Sequence, residues 1–261
     1  MAYEKILYSL TDDGVARIAL NDPATLNAVN EAVGHELVDA LDRAAKDARA
    51  VLITGEGKGF CSGANLSEAV AMIPDPMRDV GGQLDRAFNP ALIAIKRMEQ
   101  PVVTAVRGAA AGFGAGLAMA GDIVLLSENA FFFLAFRNVG LVPDGGASYL
   151  LSKAAGRVRA MELMLLGGKL PAAKALEWGI ATRVVPDEEL DATALAMATE
   201  LARGPLSLGY IKRMAWDALD ASFETALDNE RRFQRDAGRS EDFVEGVTAF
   251  GEKRKPQFKG Q

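Results

Sequence analysis

One cysteine, Cys61, and one histidine, His35, stand among 261 residues. A disulfide framework and a Cys/His zinc site are therefore excluded within one chain. Any Ser-His-Asp or Cys-His mechanism would have to use His35. That residue lies in NAVNEAVGHELVDALDRAA, whose apolar spacing predicts an amphipathic helix with Asn30 as its N-cap, so His35 reads first as a helix-surface or packing residue. No apolar run approaches the roughly 18 residues that cross a membrane. The start, MAYEKILYSLTDDG, carries acids where a secretory leader would have a basic segment and an apolar one, which makes the cytoplasm the expected compartment. Cations are also short: Lys and Arg number 29 against 35 Asp and Glu, a net charge of −6, which argues against nucleic acid as the main partner.

What remains is ordinary for a soluble globular protein, with 49% hydrophobic and 25% charged residues. A chain of this length hides roughly 70–75% of its extended surface on folding, so its core needs no metal or disulfide. Val15–Leu20, Ala50–Thr54, Pro101–Val106 and Asp122–Leu126 read as strands, and Phe131-Phe132-Phe133 continues the β signal. Pro90 opens a helix. Beyond Pro143 the pattern is mostly helical, apart from Ala181–Val185. This is an α/β chain, read as a core over residues 1–195 and a helical extension over 196–261. Residues 66–88, interrupted by Met72, Pro74, Pro76 and Met77, suit an adaptable wall; Glu68, Asp75, Asp79 and Asp85 there read as solvent-facing carboxylates.

Two glycine-rich segments each follow a buried strand: Gly55–Asn65, with four glycines, and Gly108–Ala120. Sites collect at the carboxyl ends of such strands. The second segment leads into a helix starting near Gly112 or Phe113, whose first N–H groups have no intrahelical partner. Gly112-Phe113-Gly114-Ala115-Gly116 is not a dinucleotide fingerprint, because the next strand begins only a few residues on, and no G-x-x-x-x-G-K-[ST] phosphate loop is present. Taken singly, the glycines could merely permit close packing. Cys61 reads as a small buried packer.

Together, these segments resemble the crotonase, or enoyl-CoA hydratase/isomerase, superfamily. Gly59-Phe60-Cys61-Ser62-Gly63-Ala64-Asn65-Leu66 is similar to its F-[CS]-[AS]-G-A-D-[IL] segment. Pro101–Asp122 is similar to its P-V-[IV]-A-A-[VI]-x-G-x-A-x-G-x-G signature, and Asn27-Ala28, Gly140–Pro143 and Glu245–Arg254 match in order and spacing. The resemblance implies a ββα spiral core with a helical C-terminal extension that forms a homotrimer or a dimer of trimers, and an acyl-CoA thioester as substrate with no further cofactor. Position by position, it implies that the backbone N–H groups of Ala64 and Phe113 grip the thioester oxygen as an oxyanion hole. Gly63, Asn65, Leu66, Gly112, Phe136 and Val142 then belong to the acyl-CoA site, and Lys253 matches a lysine that contacts CoA. The phenyl ring of Phe113, where the family often has glycine, would narrow the pocket.

The departures are informative. Hydratases of this family carry glutamates at positions matching Gly116 and Phe136; both are missing here. Lysines that some relatives use for CoA are replaced by Ala24 and Ser67, leaving Lys58, Arg97 or Lys253 as local cations. Instead the chain has Asp144, in a Pro-Asp-x-Gly pattern that resembles isomerase-like members. One carboxylate suffices to shift a double bond, by taking a proton from one carbon and returning it two carbons away. Burial beside Phe136 or Val142 would lift its pKa into a useful range. The competing reading of Asp144 is a cap on the following helix. For the whole chain, an enoyl-CoA isomerase is the leading expectation. A hydratase using Asp144 or another acid and a catalytically silent CoA-binding scaffold are the alternatives, and a dehalogenase-like use of Asp144 as nucleophile lacks a placed histidine.

Overall fold

The computed structural model describes residues 3–261, without the side chains of Glu68 and Ala69. Strands β1 (Ile6–Leu10) and β2 (Val15–Leu20) form an antiparallel pair, followed by α1 (Glu31–Asp47) and β3 (Ala50–Gly55). Helices α2 (Leu66–Met72) and α3 (Asn89–Arg97) separate β3 from β4 (Val102–Val106). Then come β5 (Ala109–Ala111), α4 (Phe113–Met119), β6 (Ile123–Ser127) and β7 (Phe131–Phe133). The rest is α5 (Ala147–Ala155), α6 (Arg157–Leu166), β8 (Lys169–Pro171), α7 (Ala172–Glu177), β9 (Arg183–Val185), α8 (Leu190–Ala202), α9 (Ser207–Ala218), α10 (Phe223–Ala237) and α11 (Glu241–Glu252).

The main sheet runs β1-β2-β3-β4-β6-β9 and is parallel from β2 onward. Its central strands are apolar on both faces because both are covered. With the two-residue period of a strand, Val51 and Ile53 join the cluster containing Leu37, Leu41 and Ile95, while Ala50 and Leu52 face Leu190, Ala194 and Ala198 of α8. A second, three-stranded sheet, β5-β7-β8, stands beside the first. The chain enters it by leaving β4, so consecutive strands of one run belong to different sheets, as a ββα spiral requires.

The strands read from sequence are present, and Asn30 caps α1 by accepting the Val33 N–H at 3.0 Å. Strands β5 and β8 were not legible: three alanines inside a glycine stretch, and a three-residue strand ending in Pro171, lack any alternating pattern. Residue 195 falls inside α8, which packs on the sheet, so the fold offers no break there. The helices that follow, α9 to α11, form the extension. Tyr210 and Phe233 stack between α9 and α10, and buried Asp242 of α11 accepts the N–H groups of Leu206, Lys259 and Gly260, tying the C-terminus down.

Candidate active site

The first glycine segment leaves the carboxyl end of β3, and the second leaves that of β4. They are laced together strand-fashion: Cys61 N–H donates to Ala109 O at 3.0 Å and Ala111 N–H to Cys61 O at 2.8 Å. The edge of the first segment also pairs with the approach to α1, through Val29 N–H to Gly63 O and Asn65 N–H to Val29 O, each 2.8 Å. Gly63, at φ +97°, comes so close to the second segment that a Cβ on it would lie 2.8 Å from Ala111 O. A Cβ on Gly112, at φ +51°, would touch Gly63 Cα at 3.6 Å. Only glycine tolerates this dihedral region and this approach without strain.

The residue after each of these contacting glycines is a predicted oxyanion-hole donor. Among the described residues, neither the Ala64 N–H nor the Phe113 N–H has a hydrogen-bond acceptor in the chain. Phe113 is the first residue of α4, where no intrahelical acceptor exists. Its side chain departs from expectation. The ring is 1% exposed and packs at 4.6 Å on Phe88, so it fills the core and does not narrow a pocket.

Asp144 is brought to the same place by its neighbour. A Cβ on Gly145, at φ +61°, would lie 3.3 Å from the Cα and carbonyl oxygen of Phe113, so the Asp144–Gly145 segment rests on the start of α4. The capping role for Asp144 fails. Helix α5 has Gly146 as its N-cap with no side-chain bond, and Asp144 contributes only its backbone carbonyl, to Ala147 N–H. Its Oδ1 is buried and has no hydrogen-bond partner among the described residues. Burial, with no neighbouring cation, pushes the carboxyl up to about 6. Phe136 is buried and approaches Gly112, consistent with an apolar wall. Val142 is 80% exposed and does not shield the carboxyl within one chain.

Other candidates fall outward. Asn65 caps α2 by accepting Ser67 N–H at 3.0 Å, and Leu66 is half exposed at the start of that helix. Lys253 ends α11 with its backbone N–H turned back to Ala249 and Phe250; no described bond joins it to the glycine segments. Lys58 is exposed on the first glycine segment itself, and Arg97 is exposed at the end of α3. Asp75, Asp79 and Asp85 face solvent, and the Glu68 side chain lies outside the described residues. His35 is exposed on α1, in contact with Arg86 O at 3.1 Å. Cys61 is buried and its thiol is pushed up to about 12, which fits a packing role.

Sequence reasoning passed over Asn27 as more than a matching letter. Buried and at φ +59°, it donates from Nδ2 to Glu56 O (2.9 Å) and Gly59 O (2.8 Å) and accepts Asp22 N–H at Oδ1 (2.8 Å). It thus clamps the first glycine segment; the signal available was an Asn before a helix cap, too common to single out. A cavity of about 540 Å³ lies elsewhere. It lies at the opposite strand ends, where β4 and β6 begin, and is lined by Met119, Asp122, Ile211, Lys212 and Trp216.

Comparison with known proteins is consistent over the whole length. Residues 11–261 match a family model described as enoyl-CoA hydratase/isomerase. The 1,2-epoxyphenylacetyl-CoA isomerase of Escherichia coli K12 is 42% identical, covering 98% of this chain and 99% of its own. A Rhodobacter capsulatus protein named a probable enoyl-CoA hydratase is 39% identical over the full length of both. The crystal structure of an enoyl-CoA hydratase from Bacillus anthracis superposes with a TM-score of 0.92 at 27% identity, covering 99% of this chain and all of that one.

Proposed function

The chain belongs to the enoyl-CoA hydratase/isomerase family, and on that premise we propose that it is an isomerase that moves a carbon–carbon double bond within an enoyl-CoA thioester. The observation that carries this reading is Asp144: half-buried, with its Oδ1 buried and unpartnered among the described residues, capping nothing, and next to Gly145, which rests on the residue whose amide opens α4. The positions at which hydratases of the family carry glutamates hold Gly116 and Phe136. Hydration needs a group to deprotonate water and a proton for the neighbouring carbon; one carboxyl is enough to relocate a proton.

In this reading the thioester carbonyl accepts the N–H groups of Ala64 and Phe113. The Asp144 carboxylate takes a proton from the α-carbon of a 3-enoyl thioester, or from the γ-carbon of a 2-enoyl one. The electron pair moves through the double bond onto the thioester oxygen, giving a dienolate whose charge the two amides hold; removing one such donor elsewhere costs about 2.7–4 kcal/mol of barrier. The carboxylic acid then returns the proton two carbons away. A carboxyl raised to about 6 is mostly ionised at neutral pH, yet basic enough to take the proton.

The thioester is the substrate and no other cofactor is required. Exposed Lys58, on the glycine segment itself, is the candidate for a CoA phosphate within one chain; Lys253, which has no described bond to the glycine segments, would serve from a neighbouring subunit of the proposed oligomer. A homotrimer or dimer of trimers built on residues 196–261 is supported by the apolar face of α11, where Phe243, Val244, Val247 and Phe250 are exposed in the single chain. Among the described residues no helix is long and apolar enough to cross a membrane. The proposed enzyme is cytoplasmic and takes neither membrane nor nucleic acid as partner, the excess of acids over cations being the argument against the latter.

The test is incubation of the purified protein with 2-enoyl- and 3-enoyl-CoA esters in heavy water, read by mass spectrometry and NMR. Interconversion with deuterium entering the α or γ carbon is expected. A hydroxyacyl product would instead make it a hydratase, and unchanged esters that still bind would make it a scaffold.

A further inference from the structure

Helix α4 has two glycines at positions where alanine would favour the helix more. Gly114 is accounted for by the first glycine segment, since a Cβ there would lie 2.5 Å from Cys61 O and 2.6 Å from Cys61 Cβ. Gly116 faces a different segment. A Cβ on it would overlap the carbonyl oxygen of Gly145 and lie 2.7 Å from its carbonyl carbon and 2.9 Å from its Cα. All three atoms are backbone, so no side chain can swing aside to make room.

We infer that Gly116 is a positioning residue for Asp144: its missing side chain lets the Gly145 backbone lie directly on α4, which fixes where the adjoining Asp144 stands relative to the Phe113 amide. The inference rests on the isomerase reading above and adds to it the reason the acid sits where it does. Gly145 completes the contact from the other side, with its own hypothetical Cβ 3.3 Å from Phe113 Cα, Cδ2 and O. The two close approaches pin the segment across the first turn of the helix. Asp144, the residue before this pinned glycine, has its Oδ1 buried and unpartnered among the described residues, and burial pushes its carboxyl up to about 6.

A second consequence is exclusion. A glutamate at position 116 and this placement of Asp144 cannot coexist, because the space a Cβ would take is already occupied by the Gly145 carbonyl. Gaining the hydratase carboxylate would therefore require lifting the isomerase one.

The experiment compares Gly116→Ala, Gly145→Ala and Gly116→Glu with the unaltered enzyme, each checked for binding of a non-reactive thioester analogue. An ångström of misplacement lowers turnover by about a hundredfold. Gly116→Ala is expected to show that fall in kcat, with KM within about twofold. The acid limb of its kcat profile is expected to move from about pH 6 toward the ordinary carboxylate range as water reaches the carboxyl. Gly145→Ala gives the same readout should Gly116→Ala not fold, and Gly156→Ala, at φ +81° with nothing within 4 Å of its Cβ, controls for the dihedral penalty. Gly116→Glu is expected to yield no hydroxyacyl product. Wild-type kcat and pH profile in Gly116→Ala, parallel losses in kcat and KM with an unmoved profile, loss of analogue binding in both alanine variants, or hydration by Gly116→Glu each overturn the inference. If Asp144→Asn proves fully active, it is the isomerase reading that fails; if that variant is dead while Gly116→Ala is normal, only the positioning role falls.

Discussion

Replacing Asp144 with asparagine should make the protein more stable and nearly inactive at once. The side chain is almost isosteric, so packing is kept. Raising a carboxyl from 3.8 to about 6 means the folded state disfavours the charged form by roughly 3 kcal/mol. Partial exposure screens this to about 2 kcal/mol. The sign follows from linkage. Between about pH 4 and 6 the unfolded chain has released this proton while the folded chain still holds it, so stability falls as pH rises through that window. Above pH 6 the full cost remains, and below pH 3.8 it vanishes. Urea unfolding of both proteins at equal concentration, which keeps any subunit association comparable, should therefore show a gap near zero at pH 3.5 that grows to about 2 kcal/mol in favour of the variant by pH 8. Turnover at pH 8 should drop by about 10²–10⁴-fold, the usual worth of a general acid/base. A variant less stable at pH 8 would show that the carboxylate has a stabilising partner, and a gap that does not change with pH would show that folding leaves its pKa where it was. Activity within tenfold of the original would remove Asp144 from the chemistry.

Phe113→Ala should cost about 3–5 kcal/mol by urea unfolding, because its ring is buried on Phe88, while turnover per folded molecule stays close to normal because the amide donor remains. Asn27→Ala strands the Glu56 and Gly59 carbonyls at about 1–3 kcal/mol each and should raise amide exchange across residues 55–63 before it affects any other part of the core; unchanged exchange there would refute the clamp. Cys61 should resist alkylation at pH 7.5 in the folded protein and react only in denaturant, since burial holds its thiol near 12; rapid labelling of the native state would contradict that burial.

Much of the fold was readable because its signals are local. The buried strands at 50–55 and 102–106 are nearly all-apolar runs, the α1 cap is a side chain three residues from the N–H that donates to it, and the glycine segments have a family spacing. Strands β5 and β8 escaped because three alanines in a glycine stretch and a segment ending in Pro171 lack the aromatic or β-branched run that marked β7 and β9, and β1 went unread as well; the division at residue 195 fell inside α8 because helix propensity does not say which helices cover a sheet.

By itself the sequence settled the class of protein and the kind of chemistry open to it. One histidine and one cysteine close the disulfide and Cys/His zinc routes within one chain, and the two glycine segments with an aspartate after Pro143 point to backbone donors and a single acid. Tertiary structure alone decided that the Asp144 side chain does not cap α5, where the Phe113 ring goes, and what occupies the space beside Gly116. Those answers depend on segments far apart in the chain meeting within van der Waals distance and on which carboxyl oxygen loses its water. Neither quantity is carried by residue type or spacing.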